Sequence, residues 1–364
     1  AAEVLDAAFS FSAEDAKKKD AAHFFRVELY DVEREADALL DTERIRGYLS
    51  FVAPAAYENS FYQRGLITEY AEKNGFPLDE YRIVLNSQPI FKAYRTNYHY
   101  KEGKQDSIQE LAFKKLKNAD GTVLAWLWYA RTGFYSALAG KDRALGGIRI
   151  RVGNIQIGDE GVLKPFYVED RFSGYVLGEL HVLPSAGLRP NARRDYFNSS
   201  SQLLRLEAEF REIAKEIGRL CRAGSDMNKH STNIRKYEKE KEEFEKKNEE
   251  NRFLDAATRQ KAADGLKESA QVAKSAEQKL KSIVEMGKQE GASDFDAGLA
   301  RIAKARLAAL KEERKQQPKS SASKEKAQSP KKAQNNKVRR ADNLSALSKK
   351  EKKMVDKIYR VVTK

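Results

Sequence analysis

A single cysteine, Cys221, stands in a chain of 364 residues, so no intramolecular disulfide can form. That suits a reducing compartment, and a cytoplasmic location is expected. The four histidines, His23, His99, His181 and His230, are scattered. With one cysteine they make no cluster of zinc spacing, and no metal site is expected. Long apolar runs are also missing. The longest, Val123 to Ala130, is the length of a strand, far short of the ~20 residues of a bilayer-spanning helix. There is no Walker A loop, no dinucleotide fingerprint and no Gly-x-Ser-x-Gly elbow. Nor is there a signal peptide. The chain begins Ala1-Ala2-Glu3 without Met and reads as an excised part of a longer protein.

What the chain has in excess is charge: 34% of its residues are charged, and the net charge is +14. The charge is concentrated at one end. Residues 315 to 364 hold 16 Lys and Arg against 4 Asp and Glu, a net of +12, so the first 314 residues are close to neutral. The basic character therefore describes a tail, which weakens any nucleic-acid argument made from global charge. Within that tail Lys331, Lys332, Lys337, Arg339 and Arg340 form the candidate contact cluster for a nucleic acid or another anionic partner. The plainer reading of the same cluster is a solvated linker.

Three regimes follow one another. Residues 1 to about 198 hold both tryptophans and mix strand and helix patterns. Phe24 to Leu29 alternates as a strand does, and Asp41 to Val52 reads as a helix with Ile45, Tyr48 and Leu49 on one face. Tyr81 to Leu85, Val123 to Tyr129 and Gly174 to Leu183 read as strands. The clearest hairpin is Gly147 to Ile157, with Gly153-Asn154 as its turn. From Ser199 a stripe runs Leu203, Leu206, Phe210, Ile213, Ile217, Leu220, Gly224, Met227, Ser231, Ile234 at steps of 3 and 4, the spacing of a coiled-coil seam. Tyr237 to Arg252 is then almost wholly polar. Asp255 caps a return helix with the seam Ala262, Leu266, Ala273, Ala276, Leu280, Ile283. An antiparallel helical hairpin over 199–286 is expected, its tip near residues 245 to 256. A shorter helix carries Phe295, Leu299, Ile302, Leu307 and Leu310. Residues 316–342 have the composition of a disordered basic linker. Ser348 and Glu351 form a capping box for a last helix with Met354, Val355, Ile358, Tyr359 and Val362 on its apolar face. That face needs a surface to dock on, and it suggests that the sequence continues past Lys364.

One segment carries chemistry. Leu188-Arg189-Pro190-Asn191-Ala192-Arg193-Arg194-Asp195 places three arginines and an aspartate between a strand and the start of the long helix. Guanidinium groups at a helix N-terminus make an anion site. The alternative is an Arg–Asp network bracing the junction. Lys141 and Arg143, in the loop 140–147, are further phosphate candidates, although that loop lacks the glycine spacing that cradles phosphates and also reads as a plain exposed loop.

The run Gly147 to Asp159 resembles the strand pair in the middle domain of heat-shock protein 90 chaperones. Leu188-x-Pro190-Asn191-x-x-Arg194-Asp195 is similar to that domain's Leu-Pro-x-Asn-x-x-Arg-Glu motif, in the same order and at about the same spacing. His23 to Leu29 resembles the last strand of the family's ATP-binding lobe. The resemblance spans about residues 20 to 215 and points to the bacterial heat-shock-protein-90-like branch of GHKL ATPases. It implies that Arg194 reaches the γ-phosphate of ATP bound in a preceding lobe, with Asn191 shaping the loop. Asp195 stands where the family has Glu, and Arg193 where it has a small polar residue, so either arginine could be the phosphate contact. ATP and Mg2+ are implied for the full-length protein, with none expected on this chain alone, because the ATP lobe's own motifs are absent from it.

The expected fold class is α+β. In order, the expected parts are the end of the ATP-binding lobe and a connector (1–55), an α/β middle or transducer domain with a mixed sheet (56–198), the coiled-coil hairpin (199–286), a helix (287–315), the disordered basic linker (316–342) and a docking helix (343–364). The expected function is coupling of ATP state in an N-terminal lobe to motion or dimerisation of the coiled-coil arm, as a homodimer. A nucleic-acid-binding structural protein and a chaperone-like client binder are the alternatives; the latter needs a large exposed apolar patch.

Overall fold

The computed structural model describes residues 40–101 and 103–316. The strand expected at Phe24 to Leu29, the basic cluster Lys331 to Arg340, the linker and the last helix lie outside the described residues. In chain order the described elements are α1 (Thr42–Val52), α2 (Arg64–Lys73), β1 (Ile83–Leu85), β2 (Gln88–Ile90), β3 (Asn97–Lys101), β4 (Lys104–Ser107), β5 (Glu110–Lys117), β6 (Val123–Arg131), β7 (Gly147–Val152), β8 (Ile155–Ile157), β9 (Leu177–Val182), α3 (Ser201–Glu249), α4 (Ala256–Met286) and α5 (Asp294–Gln316). The class is mixed α and β. Among the described residues no helix is long and apolar enough to cross a membrane.

The centre is a five-stranded sheet in the order β5-β6-β9-β7-β8. It is mixed: β7 pairs parallel to β9, and the other pairs are antiparallel. Both faces are covered, which is why β6 reads as a continuous apolar run. Its Ala125, Leu127 and Tyr129 belong to one core, shared with the long helices. Trp126, Trp128 and Ala130 belong to the other, under the layer formed by residues 57 to 98. The β7–β8 hairpin turns at Gly153 and Asn154, both at positive φ (55° and 60°). This is the twist that two-residue hairpin loops require, and Gly-Asn tolerates it.

Asp41 caps α1 by accepting from Glu43 N and Arg44 N. Ser200 caps α3 through Leu203 N, and Asp255 caps α4 through Thr258 N. The turn between α3 and α4 falls at residues 250 to 255, where the polar stretch ends. All ten stripe positions on α3 are buried. Their partners differ along the helix, however. Phe210 meets Phe166 and Tyr167, and Gly218 lies against Phe172, so the first half packs on the sheet and its connecting turns. The 3-4 spacing of this half is therefore a sheet-packing face, since the same periodicity serves either purpose.

The two small residues in the stripe have specific causes. Ser231 turns its hydroxyl onto Met227 O at 3.0 Å. Gly224 sits where the loop after β6 presses on α3: a Cβ there would lie 2.6 Å from Phe134 Cβ. Gly224→Ala is therefore expected to destabilise by about 1–2 kcal/mol, the overpacking cost outweighing the helix-propensity gain. Gly265→Ala, in α4 with nothing within 4 Å of the added Cβ, is expected to stabilise by about 0.5–1 kcal/mol. Thermal melts of the two variants check both signs; equal shifts would contradict the close contact.

α5 is clasped to the sheet. Arg131, buried at the end of β6, donates to both carboxylate oxygens of Asp294 at 3.0 and 2.6 Å. Arg301 pairs with Glu110, and Arg306 donates to Gly133 O at 2.6 Å. Further along, Arg235 pairs with Glu313, and Arg314 with Glu238, tying α5 to α3.

Candidate functional site

The β7–β8 hairpin carries both the cleft and a buried ionic cluster on its face away from the helical core. Alternation sends Ile148 and Ile150 to the helical core and Arg149 and Arg151 to the opposite face. There Glu179 of β9, fully buried, accepts from Lys92 Nζ at 2.8 Å and Arg151 Nε at 2.8 Å, and Tyr57 also donates to it. His181 stands 3.2 Å from Glu179 and stacks on Trp126. Lys92 also donates to Asn154 Oδ1 at 2.7 Å, which fixes the hairpin turn from beneath. Burial alone would raise the Glu179 pKa, but Arg151 and Lys92 outweigh it and hold the carboxyl well below its usual range. Burial lowers Lys92 to about 8 against the pull of Glu179, and lowers His181 to about 4.

Past β8 the chain meets the arginine segment. Leu188 and Phe197 are buried and anchor its two ends, and a bridge between Pro190 and Phe197 closes it. Inside, Asn191 N donates to Tyr196 O (2.9 Å), Arg194 N to Asn191 O (3.0 Å) and Asp195 N to Asn191 Oδ1 (3.2 Å). The Asn191 amide donates to the Asp195 carboxylate. Gly158 N donates to Arg194 O at 2.9 Å. Gly158 has φ +68°, and a Cβ there would lie 2.7 Å from Asp195 O, so only glycine allows this approach. Arg194 itself is held at φ +55°. The loop is thus braced by its own backbone and by Asn191 and Asp195. It is also set apart from the helix: Ser200 caps α3, and the arginines precede that cap by several residues.

Arg193 and Arg194 are both exposed and have no ion-pair partner among the described residues. They line a cleft of roughly 660 Å³ between α1 and the hairpin, with Tyr48, Phe51 and Val52 from α1 and Arg149 and Gln156 from the strands. Asp159, Glu160 and Asp195 are also in its lining. Of the residues expected to meet phosphate, the structure brings together Arg193 and Arg194. Asn191 braces the loop and is not part of the lining. Lys141 and Arg143 lie on the 3-10 turn Gly140–Leu145, both exposed. Lys141 lines a neighbouring groove with Arg46, Lys92 and Arg95, on the other side of Phe51, and Arg143 lines neither.

Two residues of the cleft were not singled out from the sequence. Arg149 is 1% exposed, donates to Leu145 O and Ala144 O, and stacks over the Phe51 ring at 4.3 Å. Gln156 is 8% exposed, and its Nε2 donates to Gly158 O at 2.8 Å. The signal for both was polar residues alternating with isoleucine in a hairpin whose two faces are both covered. Comparison of the chain with protein-family models, with curated proteins and with solved structures finds no match.

Proposed function

We propose that the chain is the transducer part of a heat-shock-protein-90-like GHKL ATPase. In this reading most of the nucleotide-binding lobe lies outside residues 1–364, Arg194 supplies positive charge to the terminal phosphate, and α3 with α4 forms a coiled-coil arm that responds to nucleotide state. The observation that carries the reading is a pair of arginines, without ion-pair partners among the described residues, on a braced loop lining a cleft. A preorganised cation offered from a second domain is a recurring device in phosphoryl transfer, because that chemistry consists mostly of positioning and charge stabilisation.

The chain by itself is expected to show no ATP hydrolysis above background. Robust turnover by the purified chain, lost on mutating a residue within 1–198, would overturn that expectation. The direct test is ATP turnover by protein that includes a nucleotide lobe, comparing Arg194→Ala with Arg193→Ala. Loss on Arg194→Ala with ATP affinity retained supports the reading. If neither variant changes turnover while both lower the melting temperature sharply, the arginines brace the junction between strand and helix.

A further inference from the structure

The cleft contains unsatisfied groups of both signs. Gln156 is more than nine-tenths buried, and its amide orientation is set, because Nε2 must face the Gly158 carbonyl. Its Oε1 then has no hydrogen-bond donor. Arg149 Nε, buried beside the same cleft, has no acceptor. Buried polar atoms without partners are uncommon and costly. Above them stand the unpaired guanidinium groups of Arg193 and Arg194. Carboxylates also line the cleft: Asp159 is engaged by Gly161 N and Asp195 by Asn191, while Glu160 is exposed to solvent. Such a lining is not a general anion trap. It suits a ligand that brings an oxyanion for the arginines and an O–H or N–H for the Gln156 oxygen. The volume is that of a small-molecule site, and Tyr48 and Phe51 supply an aromatic wall.

We propose that this cleft binds a phosphate monoester carrying a hydroxyl group of its own, with the phosphate on Arg194 and Arg193 and the hydroxyl donating to Gln156 Oε1. The inference rests on the reading that Arg194 meets phosphate, and takes such an ester as the occupant of this cleft when ATP, with its ribose in another lobe, is not on Arg194. A nucleotide and a sugar phosphate share this chemistry.

The test is equilibrium dialysis of the full chain against AMP, ribose 5-phosphate and methyl phosphate, the last a monoester without a hydroxyl. Ribose 5-phosphate is expected to bind several-fold to about 10-fold more tightly than methyl phosphate, the range for one hydrogen bond to a buried acceptor. Gln156→Met, close in shape, should erase that difference, whereas Arg194→Ala should weaken both ligands about equally. Gln156→Glu serves as a second variant: it keeps the side-chain length, adds negative charge and should weaken all three. Circular dichroism confirms that each variant is folded. Tighter binding of AMP than of ribose 5-phosphate, with ribose 5-phosphate still ahead of methyl phosphate, identifies a nucleotide as the occupant; equal binding of AMP and ribose 5-phosphate identifies any hydroxylated monoester. Equal binding of ribose 5-phosphate and methyl phosphate to the unaltered chain, or a difference that survives Gln156→Met, overturns the proposal. If Arg194→Ala lowers ATP turnover while this difference is absent, the function stands and the assignment of Gln156 fails. If the difference is present while turnover ignores Arg194, the cleft binds such esters for another purpose.

Discussion

Glu179→Gln is expected to destabilise the protein by about 3–5 kcal/mol, the cost of leaving buried charge uncompensated. The substitution barely changes volume, so packing contributes little. What it removes is the only carboxylate among the described residues in ion-pair contact with Lys92 and Arg151, both fully buried; Glu80 acts on Lys92 from further away. Lys92→Met should cost less, because Glu179 keeps Arg151, His181 and the Tyr57 hydroxyl. The pH dependence carries a second signature. Glu179 has a depressed pKa, so its contribution is complete above the unfolded value near 4.5 and is lost as pH falls through the folded value. His181 is depressed from 6.5 to about 4, so its contribution is lost as pH falls across that window. Stability should therefore begin to decline below about pH 6.5, and His181→Phe should flatten the upper part of that decline. In Glu179→Gln, Lys92 loses the neighbour that favours its charged form. A folded-state lysine pKa below the unfolded one means stability rises with pH, and in this variant the rise should start at lower pH than in the unaltered protein. Denaturant melts between pH 4 and 9 measure each of these. A Glu179→Gln protein as stable as its parent would show that the cations find other compensation.

Arg194→Ala, in protein that hydrolyses ATP, is expected to lower turnover by about 10²-fold, roughly 3 kcal/mol of lost stabilisation at the transferring phosphate. ATP affinity should stay nearly unchanged, since the proposal puts the purine and ribose contacts in another lobe. Arg193→Ala is the internal control: it lies on the same braced loop, is also exposed and carries the same charge, but does not hold the motif position. Its loss should lower turnover much less. The opposite ranking, Arg193 essential and Arg194 dispensable, would show that the residue assignment is wrong even if the function is right. Measuring kcat and KM separately matters, because a general loosening of the loop would raise KM in both variants.

Most of the secondary structure was legible because local chemistry and long-range packing agree there. Gly153-Asn154 can hardly form anything but a tight turn, and Asp41 and Asp255 each precede helices they do cap. The packing partners were harder to read. A stripe at steps of 3 and 4 cannot say whether it meets a helix or a sheet, so the first half of α3 reads as a coiled-coil seam although Phe210 and Gly218 face the sheet layer. Strand β5 has Lys114, Lys115 and Lys117 among its apolar residues and gives a weak signal; Lys114 and Lys115 reach groups far along the chain, Glu216 and Asn74. At the site, Arg193 and Arg194 stand out by sequence because they are clustered and charged. Gln156 and Arg149 do not, because their importance comes from burial without a full set of partners, and burial belongs to the folded sheet.

The 49-residue α3 runs without a break from the sheet to the turn at Glu250. At ~1.5 Å per residue it is about 74 Å long. Its first half is gripped along a broad face by the β-sheet layer, while its last turns, among the described residues, are flanked only by α4. α5, clasped to the sheet at Arg131, braces α3 as far as Glu238. With about 11 residues beyond that brace, a tilt of about 10° there moves the far end by roughly 3 Å. A rearrangement too small to alter the packing around Phe210 would thus be felt at Phe253 as a shift of about two carbon–carbon bond lengths.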